Sequence, residues 1–107
     1  MAKIRVGVLR GGPSAEYEVS LKTGGSILKH LPQEKYQTRD ILLTREGAWH
    51  IDGLPTQPPR LPHSVDVVFN ALHGTFGEDG GVQRILDGIK IPYTGSRAYA
   101  STIAMNK

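Results

Sequence analysis

The sequence predicts an α/β fold: three layers built on an open, mostly parallel sheet, with a short antiparallel hairpin to one side. Three observations predict it. Ile4, Val6 and Val8 alternate with Lys3, Arg5 and Gly7, the period-two pattern of a half-buried strand. Residues 65–72 form an almost unbroken apolar run, as in a central strand covered on both faces. Between and after these runs, apolar and small residues recur at i, i+3, i+4 and i+7, the spacing of amphipathic helices.

Taken in order, the first strand covers 4–9 and is broken by Arg10-Gly11-Gly12-Pro13-Ser14. A helix is expected from Ser20, its N-cap, with Leu21, Gly24, Gly25 and Leu28 on one face and Pro32 at its end. Gly24 and Gly25 each cost a free helix about 1 kcal/mol relative to alanine, so close packing of that face onto the sheet is expected. A second strand spans 36–43, a turn follows at Arg45-Glu46-Gly47, and 48–51 returns antiparallel. Residues 53–63 carry Pro55, Pro58, Pro59 and Pro62 and read as an extended surface loop. After the central strand at 65–72 comes a loop at 73–80. A short helix with Val82, Ile85, Leu86 and Ile89 on one face follows, then a strand at 91–94 and a last helix from 97 through Met105. That helix meets no terminating glycine or proline by Lys107, so the chain is expected to continue beyond it.

The 107 residues have room for one compact domain. Absence of cysteine excludes a disulfide scaffold, a thiol nucleophile and a cysteine zinc site. No stretch approaches the ~20 apolar residues that span a bilayer, and the chain enters its first strand without a signal-peptide run. No membrane partner is expected, and the location read is cytoplasmic. The net charge of +3 comes from scattered lysines and arginines that form no basic stripe, so no nucleic-acid partner is expected either.

Strand–helix–strand units with right-handed crossovers make a Rossmann-like open sheet. With the first strand central, a crevice opens at the carboxyl ends of its neighbours, where such sheets bind ligands. Two loops reach it, 10–19 and 73–80. The first is not a phosphate loop, because it lacks GxxxxGK[ST] and GxGxxG. Its glycines permit close backbone approach, and the helix start offers N–H groups to an anion. Glu16 and Glu18 offer carboxylates to an ammonium. Amides for an anion beside a carboxylate for an ammonium suit an amino acid. The competing reading has both acids simply favouring the helix dipole. Residues two apart do not share a helix face, so at most one points into the crevice.

In the second loop, His73 either donates to a carboxylate, carries a proton, or is a histidine satisfied by backbone at a strand end. Glu78 and Asp79 are two acids without a third, too few for a metal site, and Asp79 is expected to cap the following helix. Gln83 is expected on an exposed helix face. Trp49 and Tyr93 read as packing residues, as does Tyr99. His50 reads as a surface residue, His30 and His63 are isolated, and no metal-ligand spacing occurs.

Gly11-Gly12-x-Ser14-x-Glu16-x-Glu18-Val19-Ser20-Leu21 resembles the first motif of the D-alanine–D-alanine ligases. His73-Gly74-x-x-Gly77-Glu78-Asp79-Gly80 with Gln83 resembles the second. Ile91-Pro92-Tyr93-Thr94-Gly95-Ser96 and Ala104-Met105-x-Lys107 resemble the third. The resemblance covers essentially the whole chain, in order. It implies that residues 1–107 are the amino-terminal domain of an ATP-grasp enzyme of peptidoglycan precursor synthesis, with the ATP-grasp lobes outside this chain. ATP phosphorylates a first D-alanine, and the amine of a second attacks the acyl phosphate. Carried over by resemblance, Glu16 holds the substrate ammonium with Val19 nearby through its backbone. His73 stands beside the substrate carboxylate, and Glu16 and His73 are the catalytic pair. Lys107 approaches the nucleotide phosphates. ATP and Mg2+ bind mainly to the missing lobes, no metal ligand lies in this chain, and the whole enzyme is a homodimer. This domain alone is then inactive.

Several positions depart from the family pattern. Tyr17 replaces a frequent histidine or arginine, Arg10 a small or apolar residue, Arg84 a glycine, and Asn106 the acid of a Met-Asp-Lys triplet. Alternatives are a D-alanine–D-lactate or D-serine ligase, and a non-catalytic module binding a small molecule. A dinucleotide-binding domain is disfavoured, since Leu43-Thr44 stands where such domains carry an acid.

Overall fold

The computed structural model describes residues 3–74 and 80–95. Six strands make one sheet: β1 (Ile4–Gly11), β2 (Tyr36–Leu43), β3 (Trp49–Ile51), β4 (Leu54–Thr56), β5 (Val67–Asn70) and β6 (Tyr93–Gly95). Their spatial order is β4-β3-β2-β1-β5-β6. β1 is central, parallel to β2 and β5, and β6 is parallel to β5. β3 and β4 continue the sheet as the antiparallel hairpin. Register places Leu9 between Ile41 and Asn70, and β2 runs two residues further along β1 than β5, to Leu43 opposite Gly11.

Strand alternation divides the core between two faces. Val6, Val8 and Ala71 pack with Ile27 of helix α1 (Tyr17–His30), joined by Leu28, Leu31 and Phe69. On the opposite face, Leu9, Ile41, Leu43 and Val68 pack with Val82 and Leu86 of helix α2 (Gly81–Gly88). Helix, sheet and helix are the three expected layers. Fully enclosed side chains such as Leu9 and Leu86 each contribute about 1.5–3 kcal/mol of transfer free energy.

The glycine face of α1 is explained by what lies under it. A Cβ on Gly24 would come within 2.6 Å of Arg10 Cβ, so only glycine leaves room for that arginine's stem. Arg10 sits between sheet and helix, its Nη2 2.7 Å from Asp40 Oδ2 and its Nη1 donating to Leu21 O at 3.0 Å. The hydrogen bond to Asp40 raises the guanidinium pKa further above its ordinary value, against the opposing effect of burial. The unusual Arg10 is therefore matched by Asp40 and Gly24. α1 ends as expected: Leu31 is extended (φ −67°, ψ 131°), the conformation that a following proline imposes.

Four expectations need correction. α1 begins at Tyr17 and not beyond Ser20, so Ser20 is an interior residue and Glu16 holds the N-cap position. Residues 53–63 are not an extended loop. They hold β4 and a 3-10 helix (Pro58–His63) that buries Leu61 beneath the second core. The central strand is shorter than 65–72, because Val65 still bonds back to Leu61 O and only 67–70 pair as β5. His50 is half-buried rather than on the surface, its Nδ1 enclosed with no hydrogen-bond partner among the described residues. The helix expected over 97–105, with Tyr99, lies outside the described residues.

Candidate functional site

The carboxyl ends of β1 and β5 are joined by one buried hydroxyl. Ser20 Oγ accepts the Gly11 N–H at 2.8 Å and donates to Ala71 O at 2.8 Å, tying α1 to the ends of both strands. Gly12 N–H donates to Leu43 O at 2.7 Å, so the first loop leaves along the end of β2. Asn70, itself buried, accepts the Leu72 N–H on Oδ1 at 3.0 Å and turns the second loop out of the sheet. Ser20 and Asn70 are the buried polar residues of the molecule's described part, and both sit at this rim.

Beyond the rim the two loops interlock through Ser14. Its hydroxyl donates to His73 O at 2.8 Å and accepts the Glu16 N–H at 3.1 Å. Gly74 follows with φ +85°, a left-handed conformation that glycine adopts without strain. A Cβ there would lie 2.5 Å from Ser14 Oγ and 3.7 Å from Glu16 Oε2. The Glu16 carboxylate thus lies near the residue after His73. The His73 side chain packs against α1 as well, its Nε2 3.0 Å from Thr23 Oγ1. The loops that carry Glu16 and His73 are therefore neighbours at the carboxyl ends of the strands.

The two acids of the first loop separate. Glu18 is exposed and meets Arg45 Nη2 at 3.2 Å, while the Arg45 guanidinium stacks 4.6 Å from the centroid of Tyr17. Glu18 thus belongs to a surface contact with the β2–β3 turn. Glu16 has no ion pair or hydrogen bond to its carboxylate among the described residues. Val19 stands in the first turn of α1 and is about half exposed, 49%. Gln83 is half-buried rather than on an open helix face. Glu78, Asp79 and Lys107 lie outside the described residues, and among those described no group of three His, Asp or Glu side chains could hold a metal ion.

Ser14, Thr23 and an interior Ser20 carry no role in the sequence pattern. The available signal was hydroxyl residues on the sheet-facing side of α1, with Ser20 and Thr23 three apart and Gly24 and Ile27 continuing the same stripe. A hydroxyl on an otherwise apolar or glycine face must find a partner when buried. Here those partners are the strand ends and His73.

Such a molecule is an open α/β domain in which two loops interlock at the carboxyl ends of the parallel strands, bringing together a carboxylate with no partner among the described residues and an imidazole tethered to α1. Residues 5–58 and 52–96 match the family model described as D-ala D-ala ligase N-terminus, and the chain belongs to that family. A D-alanine–D-alanine ligase of Solibacter usitatus is 42% identical over 105 residues, covering 98% of this chain and 32% of the relative. Among solved structures, the D-alanine–D-alanine ligase of Coxiella burnetii superposes with a TM-score of 0.75 at 28% identity, over 87% of this chain and 35% of that one. That of Bacillus anthracis complexed with ATP gives 0.65 at 34% identity, over 85% and 28%. The chain spans about a third of the length of the ligases it matches.

Proposed function

We propose that this chain forms the first-substrate half-site of an ATP-dependent D-alanine–D-alanine ligase. The observation that supports the reading is the interlock at Ser14, which ties the loop of His73 to the loop of Glu16, whose carboxylate has no partner among the described residues, in a chain of this family. A D-amino acid is a zwitterion. Glu16 accepts charge-assisted hydrogen bonds from its ammonium, His73 donates to its carboxylate, and the backbone of Val19 lies beside it. The γ-phosphoryl group of ATP passes to a carboxylate oxygen and ADP leaves. The amine of a second D-alanine then attacks the acyl carbon, and the tetrahedral intermediate expels phosphate as the peptide bond forms.

The described residues do not fit a nucleotide or its metal, since no three-ligand cluster occurs and the first loop lacks the lysine of a phosphate loop. ATP and Mg2+ are accordingly assigned to ATP-grasp lobes following this domain, with Lys107 approaching the phosphates. The product is a cell-wall precursor made in the cytoplasm by a homodimer. Purified full-length protein given ATP, Mg2+ and D-alanine should release ADP and accumulate D-alanyl-D-alanine. Preferred coupling to D-lactate or D-serine would move it to a related ligase. Binding of D-alanine without ADP release would leave only a binding module.

A further inference from the structure

We propose that Thr23 is a positioning residue for His73, fixing the imidazole tautomer that meets the substrate carboxylate; this rests on the ligase reading. His73 is held at two points. Ser14 holds its carbonyl and Thr23 Oγ1 lies 3.0 Å from Nε2, which leaves Nδ1 as the ring nitrogen without a partner among the described residues. A neutral imidazole carries one N–H, and the bond made by one nitrogen decides the state of the other. Thr23 Oγ1 has no other hydrogen-bond partner among the described residues, so its proton is available to Nε2. With Nε2 accepting from Thr23, the ring proton sits on Nδ1, where it can donate to an anionic carboxylate. The opposite tautomer would present a bare lone pair to that carboxylate and repel it.

Thr23 is well placed for the task, being on α1 three residues beyond Ser20, whose hydroxyl fixes the helix to the ends of β1 and β5. Thr23 is therefore held in place by the anchored helix, and the Ser14 bond holds the His73 backbone opposite it. Valine at this position keeps the branched shape and removes the hydroxyl. Serine removes the methyl and keeps the hydroxyl.

The test uses full-length protein with 15N-labelled histidine, the His73 resonances being assigned with His73→Gln. The wild type should show His73 protonated on Nδ1. Thr23→Val should lose that tautomer and raise the KM for the first D-alanine about threefold to tenfold, the range expected for one ordinary hydrogen bond, with the KM for ATP unchanged. Thr23→Ser should restore both. A wild-type ring protonated on Nε2, or a Thr23→Val protein with the tautomer unaltered, overturns the proposal. So does equal impairment of valine and serine variants. A wild-type protein with no ligase activity refutes the ligase reading instead, and the tautomer pattern then decides the role of Thr23 by itself.

Discussion

Ser20→Ala removes one oxygen and leaves two backbone groups stranded. The Gly11 N–H and the Ala71 carbonyl both end at that hydroxyl, each at 2.8 Å, at residues that are buried. A buried polar group deprived of its partner costs about 1–3 kcal/mol, so the pair should cost roughly 2–4 kcal/mol after local relaxation. For a domain of this size that lowers the melting temperature by roughly 10–25 °C. The comparison is Ser26→Ala, on the exposed side of the same helix, where losing a long 3.4 Å contact with His30 Nδ1 at the surface stays within about 0.5 kcal/mol. Both substitutions replace serine by alanine within the same helix, so their difference reports chiefly the buried bridge. Urea unfolding monitored by circular dichroism measures it. Should Ser20→Ala cost no more than Ser26→Ala, the hydroxyl does not hold the strand ends together and the rim of the crevice is set by something else.

Gly74→Ala should be damaging for a separate reason: its φ of +85° costs an L-residue about 1–2 kcal/mol, and the new methyl would press on Ser14 Oγ from 2.5 Å. We expect weaker first-substrate binding in addition to lost stability, and a fully active variant would mean the interlock is dispensable. Asp66 gives the pH dependence. Its hydrogen bonds from the Arg5 side chain and backbone hold the carboxyl below its ordinary 3.8, so its contribution is present above that value and is lost as pH falls through the depressed one. Asp66→Asn should flatten the stability curve below about pH 4 and change little at neutral pH, as acid titrations of both proteins would show.

Much of this fold was legible because the hydrophobic pattern is clean. The bounds of β2 follow directly from residues 36–43, and β1 and β5 flank one another as their alternating and continuous patterns require. Proline misled the reading of 53–63. Pro55 sits in the edge strand β4, where a missing N–H need not break the ladder, and Pro58 and Pro59 open a 3-10 helix. What recruits that segment is burial of Leu61, a tertiary contact with no local signature. Ser20 misled in the opposite direction. Its type suits a helix start, but its hydroxyl is used by strands distant in sequence, and the N-cap lies four residues earlier, at Glu16. At the site, chain topology was enough to bring residue 16 to residue 73. It could not separate Glu16 from Glu18, because that distinction depends on Arg45 in a turn across the sheet.

Substrate kinetics of Glu16→Gln in the full-length protein test the central claim most directly. If Glu16 holds the ammonium of the first D-alanine, replacing the carboxylate should raise the KM for that substrate about tenfold to a hundredfold, the worth of one hydrogen bond to a charged group. The KM for ATP should stay within about threefold. Equal losses for both substrates, or none for either, would show that the carboxylate is only part of the helix start and that this crevice is not where the amino acid binds.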